Sequence, residues 1–308
     1  MLSDEIRTRL ALLHRPKFVI PAGSAALVAA GIRHGAAPEI GPAAGDWFAQ
    51  ADECENASGK HLRFRRPLAA IWPAGDRSGG FGIERDAVWP ALPAHPELAA
   101  VADHFPRETL FLDLETCGFA GSSVFLAGVV WQVEGSLVVD QLFARHYAEE
   151  RALLETLWHV AAQNRVLVTF NGKSFDWPMV HDRSTRHHLG QDVRGKADVR
   201  GKAAAAPDAL ISRKSLGRHD ARPELTHCDL LHHARRRWKR LLPNCKLQTL
   251  ERYVCNRRRR DDLGGALVPA AYHEFVRSGN TRQVGAILHH NALDLATLVQ
   301  VTLALLSE

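Results

Sequence analysis

The sequence predicts an α/β fold built on a mixed sheet, and three observations carry that expectation. Residues 109–143 hold three apolar runs joined by tight turns, the pattern of an antiparallel three-strand meander. Residues 149–163 then change period, placing Leu153, Leu154, Leu157, Trp158 and Ala161 at helical spacing. A short β-branched run at 165–170 follows and ends at Asn171-Gly172. Meander, helix, strand and helix in that order give parallel strands added to the meander, flanked by helices.

Each element has a local reason. In the run Thr109 to Thr116 side chains alternate between faces, so Leu110, Leu112 and Leu114 point one way. Phe111, Asp113 and Glu115 point the other. Gly118 and Gly121 turn the chain into the nearly continuous apolar strand Val124 to Val133, and Gly135-Ser136 turn it again into Leu137 to Phe143. Thr226 to Leu231 resumes as a short strand running into a helix start at Asp229. An Arg-rich helix is expected from Ala234 to Leu242, stopped by Pro243, and another over Cys245 to Val254. Pro269 to Arg277 and Arg282 to Leu306 read as two more helices, the last apolar on one side.

The flanking segments say less. Ser3 caps an expected helix over residues 3–14, with Ile6, Leu10 and Leu13 on one stripe. Residues 21–45, rich in Ala, Gly and Pro, read as a connector. Residues 47–100 carry Trp47, Phe64, Trp72, Phe81 and Trp89 between turn signals, so short strands or ordered loops packed on a neighbour are expected. We therefore divide the chain into residues 1–100, to which the sequence assigns no role, and a domain over 101–308. Within it, residues 190–222 repeat Asp-Val-Arg-Gly-Lys-Ala and then run into alanines. With few bulky apolar side chains, that insertion is expected to be disordered.

Bulk properties bound the function. The 308 residues are 46% apolar and 24% charged, with a formal net charge of +5. A mildly basic chain with dense Arg clusters suggests a polyanionic partner. Five scattered cysteines, with no CxxC pair, argue against a zinc site and against a disulfide framework, and fit a reducing compartment. No apolar run reaches the length of a membrane span, and no leader pattern is read at the N-terminus. A cytoplasmic location is the expectation.

Chemistry concentrates in a few acids. Asp113 and Glu115 share a face at the end of a strand, where their repulsion calls for a cation between them. Mg²⁺, which favours carboxylate oxygens, is the common answer; two solvated acids are the plain alternative. Asp176 falls where a helix begins, so it is either an N-cap or a ligand. Asp294 sits in an apolar helix with His290 one turn before it and His289 five residues before it. N-capping explains Asp229 fully and is preferred there over a metal role.

Taken in order, the stretches FLDLETCGFAGSSVFLAGV, VTFNGKSFDWP, HCDLLHHARRRW, CKLQTLERYV, RRDDLGGALVPAAYHEFVRSGN and HHNALDLATL resemble the DEDD exonuclease superfamily, which has a ribonuclease H-like fold. The resemblance is closer still to the YprB-type ribonuclease H-like domain and spans residues 108–306. It implies that Asp113, Glu115, Asp176 and Asp294 bind two Mg²⁺ or Mn²⁺ ions, which in such sites lie about 3.5–4 Å apart. It also implies His290 as general base, or His289 if the longer spacing applies, and it sets Asn171 beside the site. Nucleic-acid contacts are expected from Asn171, Lys173, Phe175, Arg236 and Arg237, with Phe175 or Trp177 stacking a base and the Arg runs at 235–240 and 257–260 holding phosphates. The expected activity is 3′–5′ exonucleolytic hydrolysis of single-stranded RNA or DNA. The alternatives are a non-catalytic nucleic-acid-binding or scaffold protein that keeps the fold, and an endonuclease of the ribonuclease H-like fold.

Overall fold

The computed structural model describes residues 39–40, 48–71, 95–118, 121–189, 223–259 and 262–307. The helix expected at 3–14 and the insertion at 190–222 lie outside the described residues. Of the connector at 21–45 only Glu39–Ile40 is described, and it pairs in parallel with Arg258–Arg259.

The central strand is β3 (Thr109–Thr116). Its alternation holds: Leu110, Leu112 and Leu114 enter one apolar cluster and Phe111 enters another on the opposite face. β4 (Val124–Val133) and β5 (Ser136–Phe143) complete the antiparallel meander. β6 (Val166–Thr169) and β7 (Thr226–Asp229) then add in parallel on the other side of β3. The sheet does not stop at residue 100. A hairpin of β1 (Asp52–Asn56) and β2 (Gly59–Pro67) joins antiparallel to β5. The seven-stranded order is β1-β2-β5-β4-β3-β6-β7. Residues 52–67 are thus part of the same sheet as the domain expected after residue 100.

Helices cover both faces. α1 (Leu68–Ile71) and α2 (Pro96–His104) precede β3, and α3 (Glu150–Ala161) packs Leu153, Leu154 and Leu157 against Leu110 and Leu112. α4 (Asp176–Arg186) follows β6. The Arg-rich helix, expected at Ala234 to Leu242, is α5 at Leu230–Trp238. It starts four residues earlier because the Asp229 carboxylate accepts from the Leu231 N–H and caps it directly from the strand. α6 (Leu247–Tyr253), α7 (Val268–Ser278) and α8 (Val284–Leu306) close the fold. α8 is not one-sided as its sequence suggests. Of its 23 residues, 17 are buried, because it lies between the sheet and α5, α6 and α7.

Candidate active site

Three separate elements bring the acids together. Asp113 and Glu115 come from the end of β3, Asp176 from the first turn of α4, and Asp294 from α8, one turn beyond His290. Their mutual proximity is felt in their charge. Burial, then the charges of Asp294, Glu115 and Asp176, raise the Asp113 carboxyl well above the usual range. Burial raises Glu115 to about 8, with Asp294 and Asp176 adding to it and His290 opposing. Burial and the charge of Asp229 raise Asp176 to about 7. Phe175 occupies the cap position of α4, so Asp176 is not serving as its N-cap.

One row of the sheet organises the centre. Asp113, Gly128 and Gln141 are register partners across β3, β4 and β5. Asn291 on α8 lies over Gly128. Its Nδ2 donates to Asp113 Oδ2 at 2.8 Å, and its Oδ1 accepts from Gln141 Nε2 at 2.9 Å. A Cβ on Gly128 would come within 2.0 Å of that Oδ1, so glycine is needed for the amide to reach the acid. Sequence reasoning missed Gly128, Gln141 and Asn291. The signals were present: a Gly and a Gln in the interiors of apolar strands, and an Asn buried among apolar residues of a helix.

The α8 side carries a second network that was also missed. α8 is already helical at residues 289 and 290, and His290 is the histidine that meets Asp294, its Nε2 3.4 Å from Asp294 Oδ2. Its Nδ1 pairs with Asp262 at 2.8 Å. Burial opposes protonation of this ring. The hydrogen bond the ring donates to Asp262 and the charges of Asp294, Asp262 and Glu115 outweigh it, and the pKa is raised above the ordinary 6.5. His289 is driven down to about 4 by burial. Arg259 reaches Asp294 Oδ1, Glu251 Oε2 at 2.7 Å and Asp262 Oδ2 at 3.2 Å.

That network corrects the reading of the 257–260 run as phosphate contacts. Arg257 is buried and donates to Glu251 at 3.0 Å, to the Leu293 carbonyl and to Thr297. Arg259 is only 6% exposed. Both face inward because Glu251, buried beneath them, needs positive partners. Arg258 is exposed, and Arg260 lies outside the described residues.

The other expected contacts scatter. Asn171 is exposed in a left-handed turn (φ 66°), and its N–H donates to Asp229 at 2.8 Å. Gly172 is required there, since a Cβ would meet Thr169 Oγ1 at 2.4 Å. The Lys173 N–H also donates to Asp229, at 3.2 Å, and its ammonium pairs with Glu97 at 2.7 Å, so its charge is already engaged. Phe175 is exposed, whereas Trp177 packs on Trp158 with ring centroids 5.1 Å apart. Arg236 is exposed and Arg237 half-buried towards the far end of α5 from Asp229. Asp229 itself does the capping work its sequence position suggested.

Do these residues fit divalent ions? Asp113 and Glu115 are raised in pKa by burial and by neighbouring acids of the cluster, and Asp176 by burial and Asp229, which is what carboxylates awaiting a cation show. The donor set is all oxygen, the preference of Mg²⁺ and Mn²⁺. Asp294 fits only once Arg259 shares or releases it. Among the described residues, the four acids do not bring three ligand atoms within 4.8 Å of one another.

A mixed sheet of this order, flanked by helices and carrying such acids at the end of its central strand, defines a ribonuclease H-like domain, a nuclease-type fold. Residues 110–306 match the profile of the RNase_H superfamily, and the chain belongs to it. It is 32% identical over 194 residues to the uncharacterized protein YprB of Bacillus subtilis (strain 168), across 62% of this chain. The chain spans 40% of that relative's length. The match supports a YprB-type domain. Among the described residues, no helix is long and apolar enough to cross a membrane.

Proposed function

We propose that the chain is a metal-dependent nuclease, a 3′–5′ exonuclease acting on single-stranded nucleic acid. The observation that carries this reading is the electrostatic strain on Asp113, whose carboxyl is disfavoured as an anion by burial and by three other acids. Evolved folds keep such a cluster where a cation relieves it.

In this scheme Asp113, Glu115, Asp176 and Asp294 hold two Mg²⁺ or Mn²⁺ ions. Such ions, when bound, stabilise charge on the attacking and leaving oxygens of a phosphodiester. Asn291 holds the Asp113 carboxylate in one orientation, and Gln141 fixes Asn291 in turn. His290, aligned by Asp262 through Nδ1, leaves Nε2 on the Asp294 side to accept the proton of the attacking water. Exposed Phe175 offers a face for stacking a terminal base.

The test is cleavage of end-labelled single-stranded RNA and DNA with Mg²⁺ or Mn²⁺. The expected result is a ladder shortening from the 3′ end, abolished by Asp113→Asn and lowered about 10²–10⁴-fold by His290→Ala. Undiminished cleavage by Asp113→Asn would refute the scheme. Internal fragments would favour the endonuclease. The guanidinium of Arg259 seated on Asp294 favours one other reading, a non-catalytic nucleic-acid-binding protein; binding without product would support it.

A further inference from the structure

Where α2 packs on β6 and β7, a second cluster belongs to none of this chemistry. His95 caps α2, Glu97 lies in the first turn of the same helix, and His233 comes from α5. Each presents one ligand atom, and the three atoms lie within 4.8 Å of one another. The rings of His95 and His233 meet edge to face with centroids 4.5 Å apart. His233 Nε2 lies 3.2 Å from Glu97 Oε2.

We propose that His95, Glu97 and His233 form a binding site for a transition-metal ion of the Zn²⁺ class, separate from the carboxylate cluster. Two imidazoles and one carboxylate are ligands that Zn²⁺, Co²⁺ and Ni²⁺ prefer, whereas Mg²⁺ and Mn²⁺ prefer oxygen. His233 is 3% exposed, so an ion held there would be shielded from solvent on the α5 side. The remaining carboxylate oxygen of Glu97 already has a partner. Oε1 accepts from Lys173 Nζ at 2.7 Å, leaving Oε2 to face the histidines. A hydrogen-bonded ligand carboxylate of this kind is an ordinary outer-shell arrangement.

Two cations oppose the site. Lys173 sits on the far oxygen, away from the histidines. Arg236 lies 3.3 Å from His233 Nδ1 but is exposed, so it can swing into solvent when that nitrogen takes a proton on metal binding. The bound ion would tie α2 to α5 and, through Lys173, to the turn that leads into Asp176.

Metal analysis after equilibrium dialysis of the full chain against Zn²⁺ with excess Mg²⁺ tests the site. Visible absorption on Co²⁺ titration reports its geometry. The expected result is one Zn²⁺ per chain that Mg²⁺ does not displace and that Asp113→Asn retains. Affinity should fall about tenfold or more in His95→Gln and Glu97→Gln, in line with the loss seen when groups around a metal are removed. His95→Gln alters a half-exposed side chain, so it keeps the test valid if the buried His233→Gln fails to fold. Zn²⁺ uptake equal in wild type and a folded His95→Gln, or none in either, would overturn the proposal. Neither result bears on the nuclease reading, which Asp113→Asn cleavage tests by itself.

Discussion

Adding one methyl group at Gly128 should disable the centre of the sheet. The new Cβ would stand 2.0 Å from Asn291 Oδ1 and 2.8 Å from Nδ2, so the amide must leave its place over β4. Forcing volume into a packed interior costs about 1–3 kcal/mol. Stranding the buried partners of the amide adds about 1–3 kcal/mol, since the Asp113 carboxylate loses its donor. Gln141 keeps the Leu288 carbonyl at 2.7 Å, which limits that second loss. Gly128→Ala should therefore lower unfolding free energy by about 2–5 kcal/mol in urea denaturation. Asn291→Ala alone should cost about 1–3 kcal/mol. The double variant should cost less than the sum, because without the amide the extra methyl has room. A favourable coupling of about 1–3 kcal/mol is expected from the cycle. Strict additivity, within about 0.5 kcal/mol, would mean the two residues do not share the space assigned to them.

Four further outcomes follow from other contacts. Glu115 has its pKa raised from 4.5 to about 8, so in metal-free protein it favours folding fully below 4.5 and loses that benefit as pH rises through 8. Melting profiles of Glu115→Gln should thus lack part of the wild-type decline between those pH values, and saturating Mn²⁺ should restore most stability at the alkaline end; parallel profiles would refute the shift. Glu150 accepts from the Val124 N–H at 2.8 Å, from Arg183 at 2.6 Å and from His187 at 2.8 Å, so Glu150→Ala should cost about 3–5 kcal/mol in chemical denaturation by leaving the largely buried Arg183 charge without its carboxylate, with only the Gly121 carbonyl and Ser123 to accept from it. Asp229→Ala removes the cap of α5 and two anchors of the turn before Asp176. It should cost about 2–3 kcal/mol, with faster amide exchange at Asn171 and Lys173. Arg258→Ala, at an exposed position, should leave stability within about 0.5 kcal/mol, whereas Arg257→Ala should not.

The meander and its facing pattern were legible because strand alternation and turn glycines are local signals, as Leu110, Leu112 and Leu114 illustrate. The acids were legible through their type and order. What escaped was set by tertiary packing. Nothing within RRRRDD itself says that Arg257 and Arg259 turn inward; Glu251, buried on α6 six and eight residues upstream, explains it. Asn291 and Gln141 meet across 150 residues of chain, a pairing that no window of sequence contains. The start of α5 was misjudged for the same reason, since Asp229 caps it only because β7 ends there.

The hairpin added to β5 has a consequence for anyone shortening the chain. Its outer strand reads Asp-Glu-Cys-Glu-Asn, and those charges deter a neighbouring molecule from docking by backbone pairing. Trimming through residue 67 would uncover the Val138 to Phe143 ladder, six consecutive buried positions with unmet amide donors and acceptors. A truncated product should therefore recruit its own kind along that bare rim and precipitate, even with every proposed catalytic side chain intact.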